Sequence, residues 1–389
     1  MPIDKNTFCV APWYSIFFDS EKRLAPCCKF KNLQENVSVD EYFTSDALNS
    51  VRKDLINGVK NDACAKCWID EKNNGDSLRL ISNRTIAQAP NLNIAKQVKN
   101  PSLENIISFD LTLGNLCNLQ CVMCNPELSS KLLSEATLNN KLKKLYNPDV
   151  KYDQSRFDWP TDDRFVKWCE DYLKQAIHIK LTGGEPFIIP WIDQVISHIP
   201  DSQKKKCILH FTSNLTMINT GLVEIFSKFK EVWLSVSVEG IDQTFEYMRY
   251  GHTWQKLKKN IESLLAMKIP NLILKVNHVL QAPSFHSVLP MVNYFDQMEI
   301  DVHPILLKKP EYFTLESLTE QCKKRFIDQT KDYSGYNKDF ITYTRSAVQT
   351  LMPHKEENTQ KMIDHLSLLD ASRGNSFADI IPSKNISYN

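Results

Sequence analysis

Cys117-Asn118-Leu119-Gln120-Cys121-Val122-Met123-Cys124 decides how this 389-residue chain is read. It follows a β-branched, apolar run, Ile106-Ile107-Ser108-Phe109-Asp110-Leu111-Thr112, so the three cysteines leave a strand on a loop. C-x3-C-x2-C spacing can bring three thiolates onto one iron–sulfur cluster, and such clusters normally take four. Three ligands leave one iron open to a ligand that is not protein. That arrangement suits chemistry at the iron as well as electron storage. A structural zinc knot is one rival, because zinc sites also use close cysteine pairs, and three simply buried cysteines are another. With no fourth ligand nearby, a closed tetrahedral zinc site is disfavoured.

Downstream, strands and helices alternate. Pro126 to Tyr146 reads as a helix with a charged, solvated face, and Asp162 to Ala176 as a second. Between them, Asn147 to Pro160 carries Tyr152, Phe157 and Trp159, an aromatic loop that covers a substrate or packs on the neighbouring helices. Ile177 to Leu181 alternates like a strand and runs into Thr182-Gly183-Gly184-Glu185-Pro186, where glycine allows close backbone approach. Further strands are Cys207 to Thr212 ending at Ser213-Asn214, and Glu231 to Val238 ending at Glu239-Gly240-Ile241-Asp242. Leu272 to Leu280 and Val302 to Leu307 complete the series. Such alternation implies an α/β fold with a parallel sheet, whose functional residues collect at the C-terminal strand ends. Cys117, Gly183, Ser213, Glu239 and Gln281 all fall at that edge.

The cysteine loop resembles the signature loop of the radical S-adenosylmethionine (radical SAM) enzymes, with Met123 in the apolar position before the last cysteine. Gly183-Gly184-Glu185-Pro186 resembles that family's motif for the SAM amino group. Ser213-Asn214 is similar to the strand end that meets the SAM ribose. Tyr247-Met248-Arg249-Tyr250-Gly251 resembles the element whose arginine pairs with the SAM carboxylate, for which a two-pronged guanidinium is suited. A surface ion pair is the plainer alternative for Arg249. Glu239 stands where the family usually has Asp, and Val279 is a candidate adenine contact. The resemblance implies a partial (βα)6 barrel over 103–309, in which Cys117, Cys121 and Cys124 hold a [4Fe–4S] cluster and SAM chelates the fourth iron. Cleavage of SAM then gives a 5′-deoxyadenosyl radical that removes a hydrogen atom from substrate.

Residues 1–75 hold five further cysteines: Cys9, Cys27, Cys28, Cys64 and Cys67. Trp13 to Phe18 reads as a strand, Asp19 to Lys22 as a hairpin turn and Arg23 to Cys28 as its return. Ser38-Val39-Asp40-Glu41 matches a capping box, and Asp46 to Asn57 reads as a helix stopped by Gly58. The whole segment resembles the SPASM and twitch auxiliary cluster domains, here placed before the core instead of after it. That resemblance implies a second [4Fe–4S] cluster on Cys9, Cys27, Cys64 and Cys67, with Cys28 competing for the second position. A four-cysteine zinc ribbon is the alternative. Residues 76–102 read as a connector. Residues 310–389 read as a mainly helical extension to about Leu369, in which Cys322, His354 and His365 are ordinary helix residues. Cys169 and Cys207 read as buried packing.

Basic and acidic residues nearly balance, 47 against 46, so no global field favours nucleic acid or an anionic membrane. No stretch approaches the ~20 apolar residues of a membrane span. The N-terminus lacks a signal-peptide pattern, and with 11 cysteines the expected home is a reducing cytoplasm. The combined expectation is a radical SAM oxidoreductase that passes an electron to its auxiliary cluster and is reduced by a partner such as flavodoxin or ferredoxin. Its substrate is a small alcohol, sugar or nucleotide, or else a peptide or protein side chain. The non-enzyme alternative is a zinc-binding scaffold.

Overall fold

The computed structural model describes residues 6–72, 76–87, 89, 92–146, 153–350 and 354–383. One sheet organises them, built from β1 (Ser15–Phe18), β2 (Leu24–Ala25), β3 (Ser108–Thr112), β4 (His178–Thr182), β5 (Ile208–Ser213), β6 (Glu231–Ser237), β7 (Leu272–Leu280) and β8 (Asp301–Leu306). The strands lie in the order β2-β1-β3-β4-β5-β6-β7-β8. Every neighbouring pair is parallel except β1 with β2. Helices such as Asp163–Tyr172, Trp254–Ala266 and Val288–Asp296 return the chain between strands, as parallel pairing requires.

Each barrel strand has two faces. In β4, Ile179 and Leu181 are fully buried under the helices, while His178, Lys180 and Thr182 are partly open. A parallel sheet covered on both faces reads as a continuous apolar run. Here the alternation arises because the second face lines a partly open cavity of about 2020 Å³, edged by Asp110, His178, Lys180, His210 and Trp233.

The sheet departs from the expected six-stranded barrel, because β1 of the N-terminal segment joins it. Ser15 to Phe18 pairs in register with Ser108 to Leu111, and Ile16, Phe17 and Phe18 are buried on both sides. The expected strand over Trp13 to Phe18 is also shorter. Ala11–Tyr14 forms a helical turn with Pro12 as its second residue, where proline's fixed φ suits a helix start and its missing N–H costs no helical bond. The capping box at Ser38 and Glu41 is present but heads its own short helix, Val39–Thr44. Ser45 caps the expected helix at Asp46–Ile56, and Gly58 follows it with φ +78°.

The stretch read as a connector holds two helices, Leu78–Ala87 and Ile94–Lys99. Their polar side chains tie down the N-terminus: Arg79 and Asn83 donate to the Phe8 carbonyl, and Gln97 to that of Trp13. The helix expected from Pro126 to Tyr146 is split into Ser130–Leu138 and Asn140–Tyr146. Part of the aromatic loop, Asn147 to Tyr152, lies outside the described residues, as do Pro90 and Asn91 of the connector. The rest of that loop packs inward. Phe157 and Trp159 are buried, Trp159 Nε1 donates to the Ser20 carbonyl at 2.8 Å, and its ring stacks on Phe18.

Three C-terminal helices, Glu320–Thr330, Lys338–Thr350 and Glu356–Arg373, bury Phe326, Ile341 and Leu366 in the same core as the barrel. Cys169, Cys207 and Cys322 are buried in this core as well. His365 is 4% exposed, its Nδ1 2.9 Å from the Tyr312 hydroxyl. Burial, with a smaller contribution from Arg373, pushes its pKa down to about 3. Burial also lowers that of His278, which is fully enclosed. A base depressed in the folded state takes up its proton more readily when unfolded. Its stabilising contribution is therefore complete above pH ~6.5 and is lost as pH falls toward the folded value. Denaturant titrations at pH 7 and pH 5 should differ by about 2 kcal/mol on account of His365. His365→Gln should narrow the gap, and an unchanged gap would show that His365 is not held neutral.

Candidate active site and cysteine centres

The cysteine loop leaves the C-terminal end of β3 and is fastened from three directions. Ser129 Oγ, at the N-terminus of the helix Ser130–Leu138, donates to the Leu119 carbonyl at 2.7 Å, and the Cys117 amide donates to Ser130 Oγ at 3.1 Å. Across the barrel mouth, the Gln120 and Val122 amides donate to the Tyr250 and Met248 carbonyls at 3.0 and 2.9 Å. Alternate residues of each segment are thus paired, which sets Cys121 opposite Arg249. Third, the glycine pair after β4 presses on the loop stem. A Cβ on Gly184 would lie 2.0 Å from the Leu116 carbonyl oxygen, and one on Gly183 (φ +114°) 2.8 Å from that of Gly114. The close approach these glycines allow is therefore to the backbone of the cysteine loop.

Cys117, Cys121 and Cys124 gather in one cluster with Leu119 and Met123. Burial raises all three thiols, that of Cys117 to about 12. N–H groups converge on them: Arg249 Nη1 lies 3.6 Å from Cys121 Sγ, and Asn214 Nδ2 3.9 Å from Cys117 Sγ. Such donors favour sulfur in its anionic, metal-binding form. Three gathered thiols, with a donor aimed at the sulfurs of Cys117 and Cys121, fit a cluster ligand set.

Arg249 is no surface ion pair. Its Nε and Nη2 both donate to the Glu239 carboxylate, the second at 2.9 Å, and Glu239 is fully enclosed at the end of β6. Glu185 is equally engaged. Oε1 accepts from the Phe187 amide at 3.0 Å and Ser213 Oγ at 2.6 Å, and Oε2 from the Asn214 amide at 2.6 Å. It stitches the end of β4 to the end of β5. Asn214 also donates to Asn118 Oδ1 at 3.1 Å, so the strand end touches the cysteine loop. Val279 is half-buried on the cavity wall. Gln281 is fully enclosed just past β7, and neither of its amide atoms has a partner among the described residues.

Cys9, Cys27, Cys64 and Cys67 line a single small pocket with Trp68 and Arg79. Burial raises each thiol, Cys9 and Cys64 to about 12. Cys28 lies off this pocket, beside Asp110 and Lys180. Among the described residues, no three His, Cys, Asp or Glu side chains are drawn together as the ligands of one metal ion. Thiolates of a four-iron cluster bind separate irons and need not close up in that way.

Sequence reasoning missed the support behind the loop. Arg373, at the end of the last helix, pairs two-pronged with Glu135 at 2.9 and 2.8 Å, both buried. Its carbonyl accepts from the Tyr250 hydroxyl, and Asp370 accepts from that of Tyr247 at 2.9 Å. No local pattern links residues so far apart in sequence. The serine pair Ser129-Ser130 ahead of a helix is the only signal that pointed at the loop's anchors.

An α/β sheet with three cysteines on the loop after β3 defines a class, and residues 111–282 match the radical SAM superfamily. The match covers a little under half of the chain. Among solved structures it is similar to anSMEcpe with bound AdoMet (15% identity, TM-score 0.41, covering 58% of this chain and 59% of that one). It is also similar to Streptococcus suis SuiB bound to S-adenosylmethionine (15%, 0.37, 70% and 59%). TYW1 with a lysine-pyruvate adduct bound matches at 14% identity and TM-score 0.31, over 57% and 72%. The chain spans about 60% of the length of the first of these. No curated protein matches it. Among the described residues no helix is long and apolar enough to cross a membrane.

Proposed function

We propose that the chain is a radical SAM oxidoreductase in which Cys117, Cys121 and Cys124 hold a [4Fe–4S] cluster and Cys9, Cys27, Cys64 and Cys67 a second, electron-accepting one. A reducing partner such as flavodoxin or ferredoxin supplies electrons to the first. The observation that carries this reading is the convergence of Arg249 and Asn214 on the sulfurs of Cys121 and Cys117 within the matched segment. When bound, the cluster and SAM supply a hydrogen-abstracting 5′-deoxyadenosyl radical. The chain's part is to fix the charges around them. Glu239 holds the Arg249 guanidinium beside Cys121. Glu185 fixes Ser213 and Asn214 at the strand edge, and Gly183 and Gly184 let the loops meet. Gln281 offers an unpaired amide at the same edge, and Val279 an apolar surface.

The cavity also favours a second reading, modification of a peptide or protein side chain. Its volume of about 2020 Å³ exceeds the roughly 300–1,000 Å³ of small-molecule pockets. Iron and sulfide per chain, measured after anaerobic reconstitution, test the two-cluster assignment. About eight irons should fall to about four when Cys117, Cys121 and Cys124 are all changed to Ala. About four falling to none would make the N-terminal cysteines a zinc site and remove the electron acceptor.

A further inference from the structure

Charge is unbalanced where the barrel cavity meets the N-terminal unit. Lys29, Lys66, Lys275 and Lys308 all line the cavity there, together with Asp70 and with Asp76, whose carboxylate is already paired with Arg84. Asp70 serves two of them: Lys29 Nζ donates to it at 2.6 Å, and Lys308 Nζ stands 4.0 Å away. Lys275 faces Asp301 at 3.8 Å, in a pair about half exposed to solvent, where an ion pair contributes little. Lys66 makes no ion pair among the described residues. Burial lowers the Lys308 ammonium. Of its neighbours, Asp70 and Cys67 raise it while Lys29 and Lys66, cations close by, lower it. The chain as a whole carries a net charge of only +1, so this excess is local. Ammonium groups converging within a partly enclosed cavity, where the effective dielectric falls below that of water, are stabilised by an anion placed among them.

We propose that this lysine seam binds an anionic group of the substrate, a carboxylate or a phosphate, and holds the substrate in the cavity beside the second cysteine pocket. Lys29 borders both spaces, and Lys66 lies between Cys64 and Cys67 in sequence. An anion at the seam would therefore leave the rest of the molecule extended along the polar cavity wall of β4, β5 and β6. Calling the anion a substrate rests on the radical SAM reading; the binding site itself does not.

Calorimetric titration of the full-length, anaerobically reconstituted protein without SAM tests it. The probes are the tripeptide Glu-Glu-Glu, glycerol 3-phosphate and, as a cationic control, Lys-Lys-Lys. One anionic probe should bind saturably: the peptide if the natural group is a carboxylate, the phosphate ester if it is a phosphate. The variant Lys275→Ala/Lys308→Ala should weaken that binding at least tenfold, and Lys308→Glu, as a second variant, should abolish it. Binding of neither anion, equal binding of Lys-Lys-Lys, or variants that bind like wild type would overturn the site. Formation of 5′-deoxyadenosine from SAM, with dithionite supplying the electron, is followed separately on the same preparations. SAM cleavage without anion binding sinks the lysine seam alone. Anion binding without SAM cleavage sinks the radical SAM reading and leaves the seam an anion site of another kind.

Discussion

Glu239→Ala should destabilise the protein by about 3–5 kcal/mol, because it leaves the Arg249 guanidinium buried without its counter-charge. Arg249 is 13% exposed and Glu239 not at all, so water cannot replace the lost carboxylate. The two-pronged contact also fixes the direction of the third guanidinium nitrogen, which reaches Cys121 Sγ. The loss should therefore appear twice, as a lower denaturant midpoint and as less iron retained by the Cys117 loop. The control is the double variant Glu239→Leu/Arg249→Met, which removes both charges and fills the volume. It should be more stable than Glu239→Ala alone, since replacing a buried pair by apolar groups is often neutral. It should still bind iron poorly. A double variant that regains full iron would show that Arg249 holds the barrel mouth together and has no part in the cysteine site.

Gly184→Ala should displace the stem of the cysteine loop itself. The added Cβ would meet the Leu116 carbonyl oxygen at 2.0 Å and its carbon at 2.3 Å. Both atoms belong to backbone, so neither can swing aside as a flexible side chain would. Either β4's end or the stem of the cysteine loop must move. The next residue, Glu185, donates its amide to that same Leu116 carbonyl at 2.8 Å, so the clash also strains a bond that holds the two loops together. Overpacking of this kind costs about 1–3 kcal/mol, and more where backbone must shift. On the two-cluster reading, iron bound after reconstitution should fall by about half. Gly221→Ala is the matched control, because its nearest atom is 3.6 Å away. Full iron content in Gly184→Ala would show that the loop tolerates displacement and that the tight contact is incidental.

The barrel was legible because alternation is a strong local signal. Each strand from β4 to β8 starts and ends within a residue of the range expected from the sequence. The cysteine loop and the glycine pair were equally plain, since spacing alone marked them. Partners were harder. Glu239 and Arg249 each stood out, yet nothing local shows that they meet, and Arg373 reaches Glu135 from the far end of the chain. Cys27 and Cys28 are adjacent, and only the path of the turn after β2 sends one thiol to the small pocket and the other toward Asp110. The connector was misread for a related reason. Arg79, Asn83 and Gln97 look like surface residues by composition, but they satisfy backbone carbonyls of the N-terminal segment.

The pairing of β1 with β3 imposes an order of events on biosynthesis. Ser15 to Phe18 leaves the ribosome roughly ninety residues before its parallel partner at Ser108 to Leu111. At the usual pace of about 5–20 residues per second, that is on the order of ten seconds. During that interval an apolar strand with unpaired N–H and C=O groups has only the short β2 hairpin for cover, the situation in which exposed edges recruit other chains. The helices Leu78–Ala87 and Ile94–Lys99, made just ahead of β3, supply Asn83, Arg79 and Gln97 to the segment flanking that strand. In the folded protein these contacts tie down the segment that leads into β1, and the chain has made every residue they need before β3 is made.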